Sequence, residues 1–186
     1  MYDTPTLELG DDFILVPAHK NILAPLIDAY YEDEASAHSA LPWLQADGDI
    51  RRQLSGMLHD VEMQSLTDQI HFWSIQHRAT NEFAGLVGLG DELQSPTSNF
   101  SLGYWVRPQF RQQRLALRSA SAIFDWLSTR THPVVVEIVV HPHNSAGLAT
   151  ASRIVSTWGG ERLDQFIGIE FNGRTVPHHI YIINLD

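Results

Sequence analysis

Cysteine is absent from all 186 residues, which removes disulfides, thiolate nucleophiles and cysteine-based zinc sites at once and fits a reducing, cytoplasmic setting. Basic residues are scarce as well: 12 Lys+Arg stand against 22 Asp+Glu, a formal charge of -10. Such a balance argues against non-specific binding to nucleic acid or to an anionic membrane, since both depend on a cationic surface. No apolar run is long enough to span a bilayer, and the opening MYDTPTLELGDD lacks the basic-then-apolar pattern of a secretory signal. Nor is there a Gly/Ser/Pro-rich tract or an internal repeat to divide the chain, so residues 1–186 are expected to form one domain.

What is present is a sequence of clear periodicities. Phe13–Pro17 (FILVP) reads as a strand, and Ile22, Leu23, Leu26, Ile27 and Tyr30 then recur at helical spacing up to about Glu34. Pro25 falls in the first turn or at a kink of that helix. Asp49 is placed to cap a second helix running to about Leu66. From Ile70 the period becomes two: IHFWSIQH, the turn residues RATNE and FAGLVGLG form a hairpin, and NFSLGYWV follows as another alternating strand. An amphipathic helix is expected over about Gln113 to Ser128. VVVEIVV is β-branched enough for a strand covered on both faces, so strand, helix and strand make a parallel unit. A further helix runs from Asn144 or Ser145 to Gly159-Gly160, and two strands about Asn172-Gly173 close the chain. The order is βααβββαβαββ, an α/β (α+β) fold.

A quarter of the basic residues, Arg107, Arg111 and Arg114, stand in the twelve residues WVRPQFRQQRLA, between a strand and a helix. With LPWL (Leu41 to Leu44), FAGLVGL (Phe83 to Leu89), LGYWVRPQFRQQRLA (Leu102 to Ala116), HPHN (His141 to Asn144) and Gly159-Gly160, this segment resembles the GNAT family of N-acetyltransferases, in its RimJ/RimL-like branch. The likeness covers most of the chain. It implies a GNAT fold, a mixed central sheet of about seven strands with a splayed parallel pair and about four helices. It implies acetyl-CoA as co-substrate, an amine acceptor (a protein N-terminus or a small amine), and a homodimer among the assemblies to be expected. From the residues themselves no metal is expected, since the dyads His141/His143 and His178-His179 lie at unknown separation and are a poor metal case.

On these residues the resemblance puts the pantetheine arm beside Trp105, Val106 and Arg107. It puts the pyrophosphate on the junction Arg111, Gln112, Gln113, Arg114, Leu115 and Ala116, where backbone N–H groups and a helix N-terminus supply positive potential. The family pattern at that junction is Gln or Arg, two residues, Gly, one residue, then Gly or Ala; here arginine replaces the middle glycine and Gln112 replaces another common one. One reading is that the helix start needs only α-region angles and the arginines add contacts to phosphate. A second is a degenerate, non-catalytic domain that binds acyl-CoA or a partner, and a third is a set of surface arginines without a ligand. Asn144 matches a coenzyme-supporting position and equally suits a helix cap. The serine usual three residues after it is Gly147.

Acetyl transfer to an amine needs a neutral amine, a path for its proton and a polarised carbonyl, but no covalent intermediate. The acidic residue that precedes the Gly-Tyr pair in many such relatives is Ser101 here. The remaining candidates are Glu137, a carboxylate inside VVVEIVV, and His141 at that strand's end, with Asp91 and Glu92 after the third strand. A cleft-facing carboxylate or an ion pair would explain Glu137 without catalysis. Trp43 is expected on the acceptor side or packed at the core edge.

Overall fold

A computed structural model describes residues 3–171 and 173–186. The alternating segments form strands β2 (Phe13–Pro17), β3 (His71–His77), β4 (Phe83–Gly90), β5 (Phe100–Val106), β6 (Val134–Val140), β8 (Ile167–Phe171) and β9 (Arg174–Leu185), with short β1 (Leu7–Leu9) and β7 (Glu161–Arg162) besides. The helices are α1 (Leu23–Glu32), α2 (Glu34–Ala40), α3 (Ile50–Ser65), α4 (Leu115–Leu127) and α5 (Ser145–Trp158). The sheet order is β1-β2-β3-β4-β5-β6-β9-β7, with β8 paired to β9. Every pairing is antiparallel except β5 with β6.

Strand alternation sends side chains into two cores. Leu102, Val136, Ile138, Tyr181 and Ile183 pack with Ile123 and Phe124 of α4 and Ile154 of α5. On the other face Leu86 and Trp105 pack with Leu26, Leu54 and Leu58 of α1 and α3. A fully buried leucine such as Leu58 contributes roughly 2 kcal/mol of transfer free energy, so both faces are strongly held.

Two departures from the expected order have identifiable causes. The polar N-terminal segment forms β1 because side chains tie it down: the Trp73 indole N–H donates to the Pro5 carbonyl at 2.6 Å, and the Thr4 hydroxyl bonds His71 Nδ1 at 2.8 Å. The first expected helix ends at Glu32, since Asp33, at φ -155°, leaves helical geometry and caps α2 by accepting from the Ser36 N–H at 3.1 Å. Pro25 sits in the first turn of α1, where it lacks no needed donor. Counts of seven strands and four helices thus become nine and five among the described residues. Of the expected Asn-Gly turn, Asn172 lies outside the described residues, while Gly173 takes φ 72°.

Candidate active site

The parallel pair β5/β6 is joined only at its base. Phe100 aligns with Val136 and Ser101 with Glu137; beyond them β5 continues along β4 to Val106 and β6 continues along β9, so the two strands part. From β5 the Tyr104 hydroxyl reaches past the gap and donates to the Gly147 carbonyl at the start of α5, at 2.9 Å, and burial pushes this phenol well above its ordinary pKa. Alternation alone did not single out Tyr104, which reads in sequence as one more core aromatic.

On the α3 side of the opening lies a cleft of about 870 Å³, lined by Leu41, Trp43, Met57, Phe72, Ser101 and His141 among others. Ser101 stands where the strands begin to part, beside Gly90 of β4 and Glu137 of β6. Glu137 is fully buried, and its carboxylate accepts from the Gln94 N–H at 2.7 Å and the Ser95 N–H at 2.8 Å. Both oxygens are therefore engaged in pinning the β4–β5 loop, the segment that brings Asp91 and Glu92 to the cleft wall. His141 accepts from the His143 N–H through Nδ1 at 3.1 Å, which leaves the neutral ring's proton on Nε2. Burial, then the neighbouring His178 and His143, hold its pKa below the ordinary histidine value. His178 also lines the cleft, with ring centroids 5.0 Å from His141, and sequence spacing gave no sign of that juxtaposition. Among the described residues no group of three or more His, Asp or Glu side chains is arranged to hold a metal ion.

At the far end of β5 the three arginines separate into two roles. Arg107 Nε donates to Glu32 at 3.0 Å, its Nη2 binds the same carboxylate, and its Nη1 donates to the Phe83 carbonyl at 2.8 Å. That guanidinium holds the Glu32 carboxyl below the usual range. Arg111 donates from Nε to the Val106 carbonyl at 3.1 Å and from Nη2 to Asp33 at 2.8 Å and Ser36 at 2.7 Å. These two tie the junction to α1 and α2. Trp105, between them and the cleft, buries its indole against the same helices. Arg114 is exposed and its guanidinium has no hydrogen-bond or ion-pair partner among the described residues.

The backbone of this junction corrects the expectation of α-region angles. Gln112 takes φ 68° and Arg114 φ 56°, the left-handed conformation for which glycine is suited. The turn thus keeps the conformation glycine favours without having glycine, and α4 begins at Leu115 rather than Gln113. It also begins without a side-chain cap, whereas Asp33, Asp49 and Asn144 cap α2, α3 and α5. The amides of Leu115 and Ala116 therefore open an uncapped helix N-terminus directly behind this left-handed turn, an arrangement suited to a phosphate. Asn144 is a cap: its side-chain oxygen accepts from the Gly147 N–H at 2.9 Å. A Cβ on Gly147 would lie 2.8 Å from Asn144 Cγ, so the serine usual at this position does not fit beside that cap.

The sequence model of the family described as an acetyltransferase (GNAT) domain matches residues 12–154. The chain belongs to the GNAT acetyltransferase family. Among solved structures it resembles the Salmonella typhimurium acetyltransferase that modifies the N-terminal serine of ribosomal protein L7/L12, at TM-score 0.82 and 16% identity over 98% of this chain and 100% of that one. RimL, the ribosomal L7/L12 alpha-N-protein acetyltransferase, in complex with coenzyme A, is similar at TM-score 0.81 and 16% identity, covering 98% and 99%. The microcin C7 self-immunity acetyltransferase MccE, with acetyl-CoA and AMP, follows at 0.75 and 14%, covering 94% and 93%. At such identities the likeness is one of fold. No curated protein matches in sequence.

Proposed function

We propose that the chain is a single-domain acetyl-CoA-dependent N-acetyltransferase acting on a primary amine by direct attack in a ternary complex. The observation that carries this reading is the parted β5/β6 pair leading to an uncapped α4 N-terminus through a left-handed Gln112–Arg114 turn. Peptide groups of β5 left without a β6 partner suit the amide-bearing pantetheine arm, and the turn's amides suit its pyrophosphate. The amine enters from the α3 side, where Asp49, Asp60, Asp91 and Glu92 face one guanidinium, that of Arg52. That balance favours a cationic acceptor.

In the reaction the acceptor, having given its ammonium proton to solvent, attacks the thioester carbonyl carbon with its lone pair. The C–N bond forms, the C–S bond breaks, and the proton displaced from nitrogen passes to the departing thiolate, so that coenzyme A leaves as the thiol. Ser101 at the point of parting offers a hydroxyl to the acceptor. His141 Nε2–H, the tautomer that the Nδ1 contact with the His143 N–H selects, donates to the negative charge developing on the thioester oxygen. Glu137 fixes the loop that presents Asp91 and Glu92. Calorimetric titration with acetyl-CoA, followed by acetylation assays with a panel of amines, tests the reading; no binding at millimolar acetyl-CoA refutes it. The second reading is a non-catalytic acyl-CoA-binding or interaction module, and one observation favours it: Arg107 and Arg111 are committed to Glu32 and Asp33, which takes two cations from the coenzyme site. Coenzyme binding without acetylation of any amine would decide for the binding module, and no coenzyme binding for the interaction module.

A further inference from the structure

Glycine is a poor residue for the interior of a helix or strand, so each one kept there needs a reason. Three of the chain's twelve glycines take a positive φ, and at six more an atom of the fold lies within 3 Å of where a Cβ would stand. Gly56, Gly90 and Gly103 have neither reason. A Cβ on Gly56 or Gly103 would meet nothing within 4 Å, and one on Gly90 would meet only the Ser101 carbonyl, at 3.8 Å. Gly56 is in the middle of α3, Gly90 ends β4 and Gly103 is inside β5, three elements far apart in sequence, yet all three line the same cleft. Folding gains nothing from their bareness, whereas the cleft gains width.

Gly90 and Gly103 lie on the floor, on neighbouring strands, and Gly56 belongs to the α3 wall. Apolar surface from Trp43, Met57 and Phe72 borders the same space, and Trp43 remains 37% exposed, large for an indole unless something covers it. The four carboxylates described above also line it. We infer that the acceptor is a cationic amine carried on a bulky apolar body, which fills the space left by Gly56, Gly90 and Gly103, rather than a small aliphatic amine. This inference rests on the acetyltransferase reading of the cleft.

The experiment compares tryptamine with ethylamine as acceptors for the wild type, Gly56→Ala and Gly103→Val. The wild type is expected to favour tryptamine in kcat/KM by at least about tenfold, and Gly103→Val to lower that ratio by about tenfold, since a filled pocket discriminates by 10- to 200-fold per group. Because Gly56 serves no need of the fold, Gly56→Ala is expected to raise Tm by about 2–4 °C through helix propensity while it lowers the same ratio. Equal use of the two amines, a preference for ethylamine, turnover of neither with acetyl-CoA bound, or variants that leave the ratio unaltered would overturn the inference. A fall in Tm for Gly56→Ala would overturn the claim that the fold does not need this glycine. Acetyl-CoA titration on the same samples separates the two levels: without coenzyme binding the acetyltransferase reading falls, and the acceptor class with it.

Discussion

Arg114→Gly tests the coenzyme loop in two independent ways. At φ 56° a residue with a Cβ costs about 1–2 kcal/mol relative to the right-handed region. Glycine removes that cost but adds about 0.4–1 kcal/mol of unfolded-chain entropy. The net expectation is a stabilisation on the order of 0.5–1 kcal/mol, and for a domain of this size about 2–4 °C in Tm per kcal/mol. Arg114 is also the arginine of the junction whose guanidinium the protein does not itself use. If that guanidinium meets a phosphate, its removal costs an exposed, charge-assisted contact of about 1 kcal/mol, or roughly fivefold in Kd for acetyl-CoA. That loss should shrink as salt rises. Arg114→Ala separates the effects, because it removes the charge and keeps the Cβ: binding should weaken without the gain in Tm. Scanning calorimetry and calorimetric titration at low and high salt read both quantities. A lower Tm for Arg114→Gly would refute the strain argument, an unchanged Kd in both variants would refute the phosphate contact, and tighter binding would show that the side chain obstructs the site.

Glu137→Gln replaces an acceptor with a donor against the Gln94 or Ser95 amide and should cost about 1–3 kcal/mol of stability. As an anchor of the acceptor loop, the residue should raise the amine KM on mutation and leave the pH profile of kcat in place; loss of a limb of that profile would instead make it the base. His71 is buried, and burial lowers its pKa against the upward pull of Asp68. The native state then binds fewer protons than the unfolded chain, so stability is full above the unfolded histidine pKa of about 6.5 and is lost as pH falls below it. His141 and His179, also lowered, add to the same slope. Denaturant midpoints that hold constant or rise from pH 7.5 to 5.5 would contradict this.

Most of the scaffold was legible because its signals are local. FILVP, the β3–β4 hairpin, the alternation of β5 and the β-branched β6 each follow from periodicity within ten residues. β1 was not legible, since the Trp73 indole that fixes it lies 68 residues from Pro5. The break between α1 and α2 depends on Asp33, whose capping role competes with ordinary helix continuation. The WVRPQFRQQRLA segment marked the junction between β5 and α4, but charge alone did not tell which arginine was free, because Glu32 and Asp33 stand 75 and 78 residues before their partners. Glu137 was conspicuous in VVVEIVV, while the amides that hold it come from a loop 42 and 43 residues earlier.

Asp33 binds two parts of the molecule with its two oxygens: Oδ1 starts α2, whose end borders the cleft, and Oδ2 holds Arg111 at the head of the α4 turn. The wall of the acceptor cleft and the loop that would receive phosphate thus share one carboxylate. Were a phosphate on the turn to displace Arg111, the shift would reach the first turn of α2 through Asp33, and by linkage the same free energy would act in reverse. An acceptor seated against α2 would then alter coenzyme affinity by the factor with which coenzyme alters its own, so one side chain's coupling could be read from either ligand.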